Sequence, residues 1–172
     1  EFIKENDLTI IPQYYSFGDT VYGDELNMPP HEFYETMRKG ELPKSQANNP
    51  AVIRDKFEKI LKEGKNILHI AFSSALSGSC NNVVMTANEL LEDYPDRKIM
   101  VFDSLNASLG EGVSVYRAVE LWKEGKSMEE VYDVLMKERD HVNVSFTVND
   151  LYHLQRGGRV SKTTAVVGSL VN

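Results

Sequence analysis

Two short apolar segments, residues 66–72 and 98–102, each run into a hydroxyl-rich turn and then into a long helical pattern. Strands separated by helices cannot close as tight hairpins. They pair side by side in parallel, and the helices cross over the sheet faces. The helix after the first segment extends to about residue 94, with Val83, Val84, Ala87, Leu90 and Leu91 facing inward. The helix after the second covers about 107–123 and stops at Gly125. Upstream, Asn49 caps a helix that begins at Pro50, carries the stripe Val52, Ile53, Phe57, Ile60 and Leu61, and ends at Gly64. The expected class is therefore α/β, a parallel sheet flanked by helices.

The remaining segments extend this pattern. Residues 8–15 are rich in β-formers and read as a strand followed by a Gly18-Asp19 turn. Pro30 opens a helix with Phe33, Tyr34 and Met37 on one face, which stops at Gly40, and 43–48 is a polar loop. Ser127 and Glu130 form a capping box. Residues 142–148 read as a last strand, and Asp150 can cap a short helix that runs through Gln155. Gly157-Gly158 breaks it, and a further helix starts near Ser161. The division expected is an α/β domain over 1–155 and the beginning of a second, α+β domain over 156–172. The opening residues 1–6 resemble the tail of a helix and 166–172 are apolar and unfinished, so further residues are expected at both ends.

Charge and composition remove several functions. A net charge of −7 works against nucleic acid and anionic lipid surfaces, both of which reward clustered Lys and Arg. Cys80 is the single cysteine, which forbids an internal disulfide and fits a reducing, cytoplasmic compartment. No apolar run approaches the roughly 18–20 residues that span a bilayer, and the start shows no signal-peptide pattern.

In open parallel sheets ligands sit beyond the carboxyl ends of the strands. Here those ends carry Ser73-Ser74-Ala75-Leu76-Ser77-Gly78-Ser79 and Asp103-Ser104-Leu105-Asn106-Ala107-Ser108. Both lead into helix N-termini, where amide groups favour an anion. The competing account is that such serines are only helix caps. Ser77-Gly78 has the stronger case, because Gly allows close backbone approach. Asp103 fits a binding role and a capping role equally. Gly157-Gly158-Arg159 offers a tight turn and a planar donor fork for a carboxylate or phosphate, against the alternative of a helix stop and a solvated arginine. The four histidines His31, His69, His141 and His153 have no metal-ligand spacing, and neither a nucleophile elbow nor a phosphate-loop spacing occurs. Cys80 reads as a small packing residue. No metal or cofactor is called for. An enzyme of phosphoryl transfer or ester hydrolysis that uses the serine loops and Arg159 is the alternative to a binding protein, and it lacks an evident base.

Three separated motifs resemble the DegV family. Residues 70–79 resemble its strand followed by S-S-x-L-S-G-T, with Ser79 at the usual threonine; 101–108 resemble V-x-D-S-x-x-A-S; and 154–161 resemble L-x-x-G-G-R-I-S, followed at 167–172 by L-G-S-L-x-N. The resemblance implies a two-domain fold with a long-chain fatty acid buried in an apolar tunnel between the domains. It further implies a non-catalytic lipid carrier that presents the carboxylate to a separate ATP-dependent fatty acid kinase subunit for acyl-phosphate formation, feeding phospholipid synthesis. Ser77 matches the head-group serine, with Ser74 and Gly78 in the same loop. An ungapped match of Pro43-Lys44-Ser45-Gln46 to the family's P-x-T-S-Q puts Ser45 at its head-group threonine, whereas a gapped match puts Lys44 there. Arg159 and Gly158 match the G-G-R motif and are assigned to the phosphate- or kinase-facing side. The family's opening T-D-S-x-x-D-L strand would precede Glu1, and much of the second domain, including a histidine near the head group, would follow Asn172.

Overall fold

The computed structural model describes residues 1–148, 151–164 and 168. The predicted parallel pair is present. β4 (Ile67–Ala71) and β5 (Ile99–Asp103) lie in parallel register, Ile67 opposite Ile99 and Ala71 opposite Asp103. The crossover between them is α4 (Ser79–Asp93), and α5 (Leu109–Lys123) and α6 (Met128–Glu138) follow β5. One core cluster joins Ile53, Phe57 and Leu61 of α3 (Pro50–Lys62) to Ile67, Val83 and Leu90. The other joins Phe102, Leu121, Val131 and Leu135. The two-strand sheet thus has helices on each face, and each cluster buries one of its apolar sides.

The caps read from sequence are in place. The Asn49 side chain accepts from the Ala51 amide at 2.9 Å with Pro50 as the first helical residue. Ser127 and Glu130 close a reciprocal capping box at 2.8 and 3.2 Å. Of the inward set on α4, Val83, Ala87 and Leu90 are buried, whereas Leu91 is half-buried and Val84 is exposed. The α4 stripe is narrower than its composition indicates, because it packs against one face of a two-strand sheet and α3.

Three segments differ from the expectations. The strand read over 8–15 begins only at Tyr14. β1 (Tyr14–Phe17) pairs antiparallel with β2 (Thr20–Tyr22) across the Gly18-Asp19 turn, and with β3 (Lys44–Gln46) on its other side. The polar loop over 43–48 therefore contains an edge strand. Its backbone finds a ladder partner in β1 although its side chains stay exposed. Residues 8–13 make no ladder. Pro12 has no amide hydrogen, its carbonyl is taken by the Asn48 side chain at 2.6 Å, and Ile11 packs on the first core cluster instead. Tyr15, Tyr22 and Phe33 form an aromatic cluster that seats α2 (Pro30–Arg38) on this antiparallel sheet, with ring centroids 5.0 and 5.2 Å from Tyr15.

Residues 142–148 form no strand. Among the described residues β4 and β5 pair only with each other, so no ladder reaches this segment, and Val144 and Phe146 are exposed. Instead, the Val142 carbonyl accepts from the Asn106 side chain at 3.2 Å. Asp150 and the motif positions 167 and 169–172 lie outside the described residues. The helix that Asp150 was expected to cap is present as α7 (Leu151–Arg156).

Gly110, in the first turn of α5, is buried where this segment crosses. A Cβ there would overlap Val144 Cγ2 and lie 2.7 Å from Asn106 Oδ1. Gly110→Ala gains helix propensity of about 1 kcal/mol but forces both neighbours to move, at about 1–3 kcal/mol. The expected outcome is a net destabilisation of about 1 kcal/mol in denaturant unfolding, where an exposed helical Gly→Ala change would stabilise. Gly112, with open space around it, is the control.

Candidate functional site

The carboxyl ends of β4 and β5 release two loops side by side, and two buried serines stitch them together, one by its amide and one by its hydroxyl. The Ser73 amide donates to the Asn106 carbonyl at 2.9 Å, and Ser104 Oγ donates to the Ala71 carbonyl at 2.7 Å. Ser73 and Ser104 are 1% and 0% exposed, so they are struts of the site and not ligand groups. Asp103 Oδ1 accepts the amides of Ser74 and Leu105, each at 3.1 Å, and clamps one loop to the other. Asp103 caps neither α4 nor α5, whose N-caps are Gly78 and Ser108. The clamp also holds unusual backbone. Leu105 (φ 51°) and Ser108 (φ 52°) are both left-handed, a conformation that costs a non-glycine residue about 1–2 kcal/mol.

Beyond the struts, Ser74 keeps an exposed side chain while its amide is held by Asp103. Gly78 is the N-cap of α4, and its neighbours Ser77 and Ser79 lie across the helix entrance. Ser77 Oγ accepts the Ser79 amide at 3.2 Å and sits 3.0 Å from Ser79 Oγ. Ser79 Oγ accepts the Asn48 amide at 3.0 Å, and the Asn48 carbonyl accepts from the Asn82 side chain at 2.9 Å. These bonds draw the segment after β3 onto the head of α4, and a Cβ added at Gly78 would lie 3.9 Å from Ala47 Cβ.

Ser45 lies on that same segment, opposite Tyr15 in the β1–β3 ladder. It is exposed, and its hydroxyl bonds no described residue. Lys44, the candidate of the gapped match, is opposite Ser16 and also exposed. Arg159 arrives from the other side. Gly158 (φ 77°) ends α7 in a turn that brings the Arg159 amide to the Leu154 carbonyl at 3.0 Å. The Arg159 Nε then donates to the Leu76 carbonyl at 3.3 Å and Nη1 to the Gly157 carbonyl at 2.6 Å. The fold therefore gathers Ser74, Ser77, Gly78 and Arg159 at one place and tethers the Ser45 segment beside them.

Asn48 was not singled out in the sequence. It is 5% exposed, and its side chain also donates to the Pro12 carbonyl and accepts from Gln13 at 3.3 Å. The available signal was the doubled Asn48-Asn49 ahead of Pro50, since one asparagine suffices for the cap.

The site favours an acceptor anion. Of the first-turn amides of α4, that of Ser79 is taken by Ser77 Oγ while those of Cys80 and Asn81 have no intrahelical partners, Ser77 supplies a hydroxyl, and Arg159 a permanent cation. Among the described residues no histidine ring hydrogen-bonds a serine. His31 and His153 are exposed, His141 lies in a 3₁₀ turn, and His69 packs against Phe57 inside β4. Burial and the nearby Asp103 carboxylate raise the Cys80 thiol pKa, which keeps the sulfur protonated and unreactive at neutral pH. A hollow of about 190 Å³ lies elsewhere, between α5 and α6, where Arg117 and Glu138 pair at 3.1 Å. Its lining includes Val113, Tyr116, Leu135 and Val142, and none of the serine-loop residues. No helix among the described residues is long and apolar enough to cross a membrane.

The chain is similar to proteins of one family along its full length. The family model described as the uncharacterised protein family DegV matches residues 1–172. A DegV domain-containing protein of Clostridium perfringens is 38% identical over 99% of this chain and 59% of its own length. The solved structure of a fatty-acid-binding DegV family protein from Thermus thermophilus superposes with a TM-score of 0.82 at 30% identity, over 99% of this chain and 59% of that one. A stearic acid-binding protein from Eubacterium ventriosum gives the same TM-score at 29% identity, over 97% of this chain and 58% of its own. The chain thus spans about three-fifths of the length of these relatives. A sequence match over every residue and a backbone match to the same family's structures carry one conclusion: the chain belongs to the DegV family.

Proposed function

We propose that this chain carries the head-group end of a fatty-acid carrier, and that Ser77 and Ser45 hold the carboxylate while the Ser74–Gly78 loop lends its backbone. The observation that carries the reading is the fatty-acid binding of two relatives that superpose over nearly the whole chain. The local chemistry supports it. Burying a carboxylate without partners costs several kcal/mol, and charge-assisted bonds from hydroxyls and backbone amides offset much of that. Leu76, Leu105 and Leu109 stand exposed on the same loops and at the head of α5, where an acyl chain would cover them at roughly 0.8 kcal/mol per buried methylene.

In this reading 1–155 is the α/β domain and 156–172 opens the lipid-enclosing second domain. Arg159 and Gly158 face a partner, an ATP-dependent kinase subunit that phosphorylates the presented carboxylate. The carrier does no covalent chemistry itself and works in the cytoplasm.

The direct test is to extract the purified whole protein with organic solvent and identify any lipid by mass spectrometry. A stoichiometric long-chain fatty acid is the expected result. A protein that arrives empty and takes up no added fatty acid would overturn the reading. Ser77→Ala is expected to weaken binding by about 1–3 kcal/mol in a calorimetric titration, the loss of one buried hydrogen bond to a charged group.

A further inference from the structure

The hydrogen bonds at the head of α4 have a direction, and following each proton shows it. Asn48 N–H can only donate, so Ser79 Oγ is its acceptor, at 3.0 Å. Ser79 N–H can only donate, so Ser77 Oγ is its acceptor, at 3.2 Å. One proton remains between the two hydroxyls, 3.0 Å apart. Ser79 is 2% exposed and cannot give its proton to water. Among the described residues the single acceptor within its reach is Ser77 Oγ. A buried hydroxyl left without an acceptor is costly, so Ser79 donates and Ser77 accepts. Both lone pairs of Ser77 Oγ are then occupied. Its own proton has no acceptor among the described residues, and its side chain is the half-exposed member of the pair.

We propose that Ser79 is the positioning residue that makes the Ser77 hydroxyl an obligate donor, and thereby sets the site to select a carboxylate over a neutral head group. This rests on the fatty-acid reading above and adds to it a residue and a basis for selectivity. A carboxylate presents only lone pairs and fits a donor that cannot accept. A fatty alcohol of the same chain length needs both a donor and an acceptor, and Ser77 cannot accept its proton. Asn48 reinforces the arrangement, because its amide occupies Ser79 Oγ and its carbonyl and side chain are themselves held by Asn82, Pro12 and Gln13. The hydroxyl pair is thereby fixed by three segments of the sequence, 12–13, 48 and 77–82.

The test is a titration of the whole protein, stripped of lipid, with a fatty acid and with the alcohol of equal chain length. Wild type, Ser79→Ala, Ser79→Thr and Ser79→Cys are compared by the ratio of the two dissociation constants. Ser79→Ala frees one lone pair on Ser77 and is expected to lower the acid-over-alcohol preference about tenfold, the worth of one hydrogen bond. Ser79→Thr keeps the hydroxyl and restores the wild-type ratio. If Ser79→Ala does not fold, Ser79→Cys fills nearly the same volume with a weak donor and shows the same fall. A purely structural role would weaken both ligands alike and leave the ratio unchanged in Ala and Cys, and that result overturns the proposal while leaving the fatty-acid reading intact. A wild type that binds neither ligand overturns the reading itself, and the proposal with it.

Discussion

Phe102→Ala is expected to cost about 3–5 kcal/mol of stability, the range for deleting a fully buried aromatic ring. Phe102 is 0% exposed on β5 and sits at the centre of the cluster formed with Leu121, Val131 and Leu135. Its ring meets Tyr132 edge-on at 6.3 Å between centroids. Three elements converge there, so no single neighbour can swing in to refill the space, and a cavity remains. The next two residues are Asp103 and Ser104, which clamp the serine loops together. The substitution should therefore also loosen the site, raising amide exchange at Ser74 and Leu105 more than at the α3–α4 side of the sheet. Phe102→Leu, which keeps most of the volume, should cost about 1–2 kcal/mol. Chemical denaturation measures both, and a loss below about 1 kcal/mol for the alanine variant would mean that the cluster repacks.

What was legible in the sequence follows from where the physics is local. Both ends of α3 and the start of α6 were readable because Asn49-Pro50, Gly64 and Ser127-Glu130 determine helix ends through bonds within a few residues. β4 and β5 were readable because each is an apolar run between turn signals. The antiparallel sheet was missed for the opposite reason. The turn at Gly18-Asp19 was seen, but Thr20-Val21-Tyr22 after it is a three-residue strand with two exposed members, and Lys44-Ser45-Gln46 has no apolar pattern at all. Both exist because β1 offers them ladder partners, a tertiary fact that periodicity does not carry. Residues 142–148 failed in reverse. Their composition suits a strand, but a strand needs a neighbour, and the two-strand sheet supplies none among the described residues.

The site was legible in its residue types but not in its division of labour. Ser73, Ser74, Ser77, Ser79 and Ser104 look alike in a sequence. Burial separates the accessible Ser74 and Ser77 from Ser73, Ser79 and Ser104, and among the buried three the hydrogen bonds distinguish Ser79, which joins Asn48 to Ser77, from the struts Ser73 and Ser104. Asn48 could not be found by motif, because its role is to bridge Pro12, Gln13, Ser79 and Asn82, which are distant in the chain.

Acidification from pH 7 to pH 4.5 is expected to remove about 2–3 kcal/mol of stability through His69 alone. Burial within β4, against the Phe57 ring, depresses its pKa from the ordinary 6.5 to about 4. A base whose folded pKa is depressed stays neutral in the native state while the unfolded chain takes up a proton. Its contribution is therefore fully present above pH 6.5 and is lost as the pH falls from there toward 4, where the native ring is finally protonated. At about 1.4 kcal/mol per pH unit, the roughly two units between the ordinary value and pH 4.5 give the stated loss. Carboxylates whose pKa is lowered by ion pairing, such as Glu58 beside Lys62 and Glu129 beside Lys98, lose stability in the same direction, but mainly below their own ordinary range near 4.5. His69→Phe separates the two, since it keeps an apolar ring beside Phe57 and cannot titrate. Its unfolding free energy should be nearly flat from pH 7 to pH 5.5, where wild type already declines by about 1 kcal/mol. Parallel pH profiles for the two proteins over that interval would show that the ring is hydrated in solution and that this part of β4 opens more readily than its packing indicates.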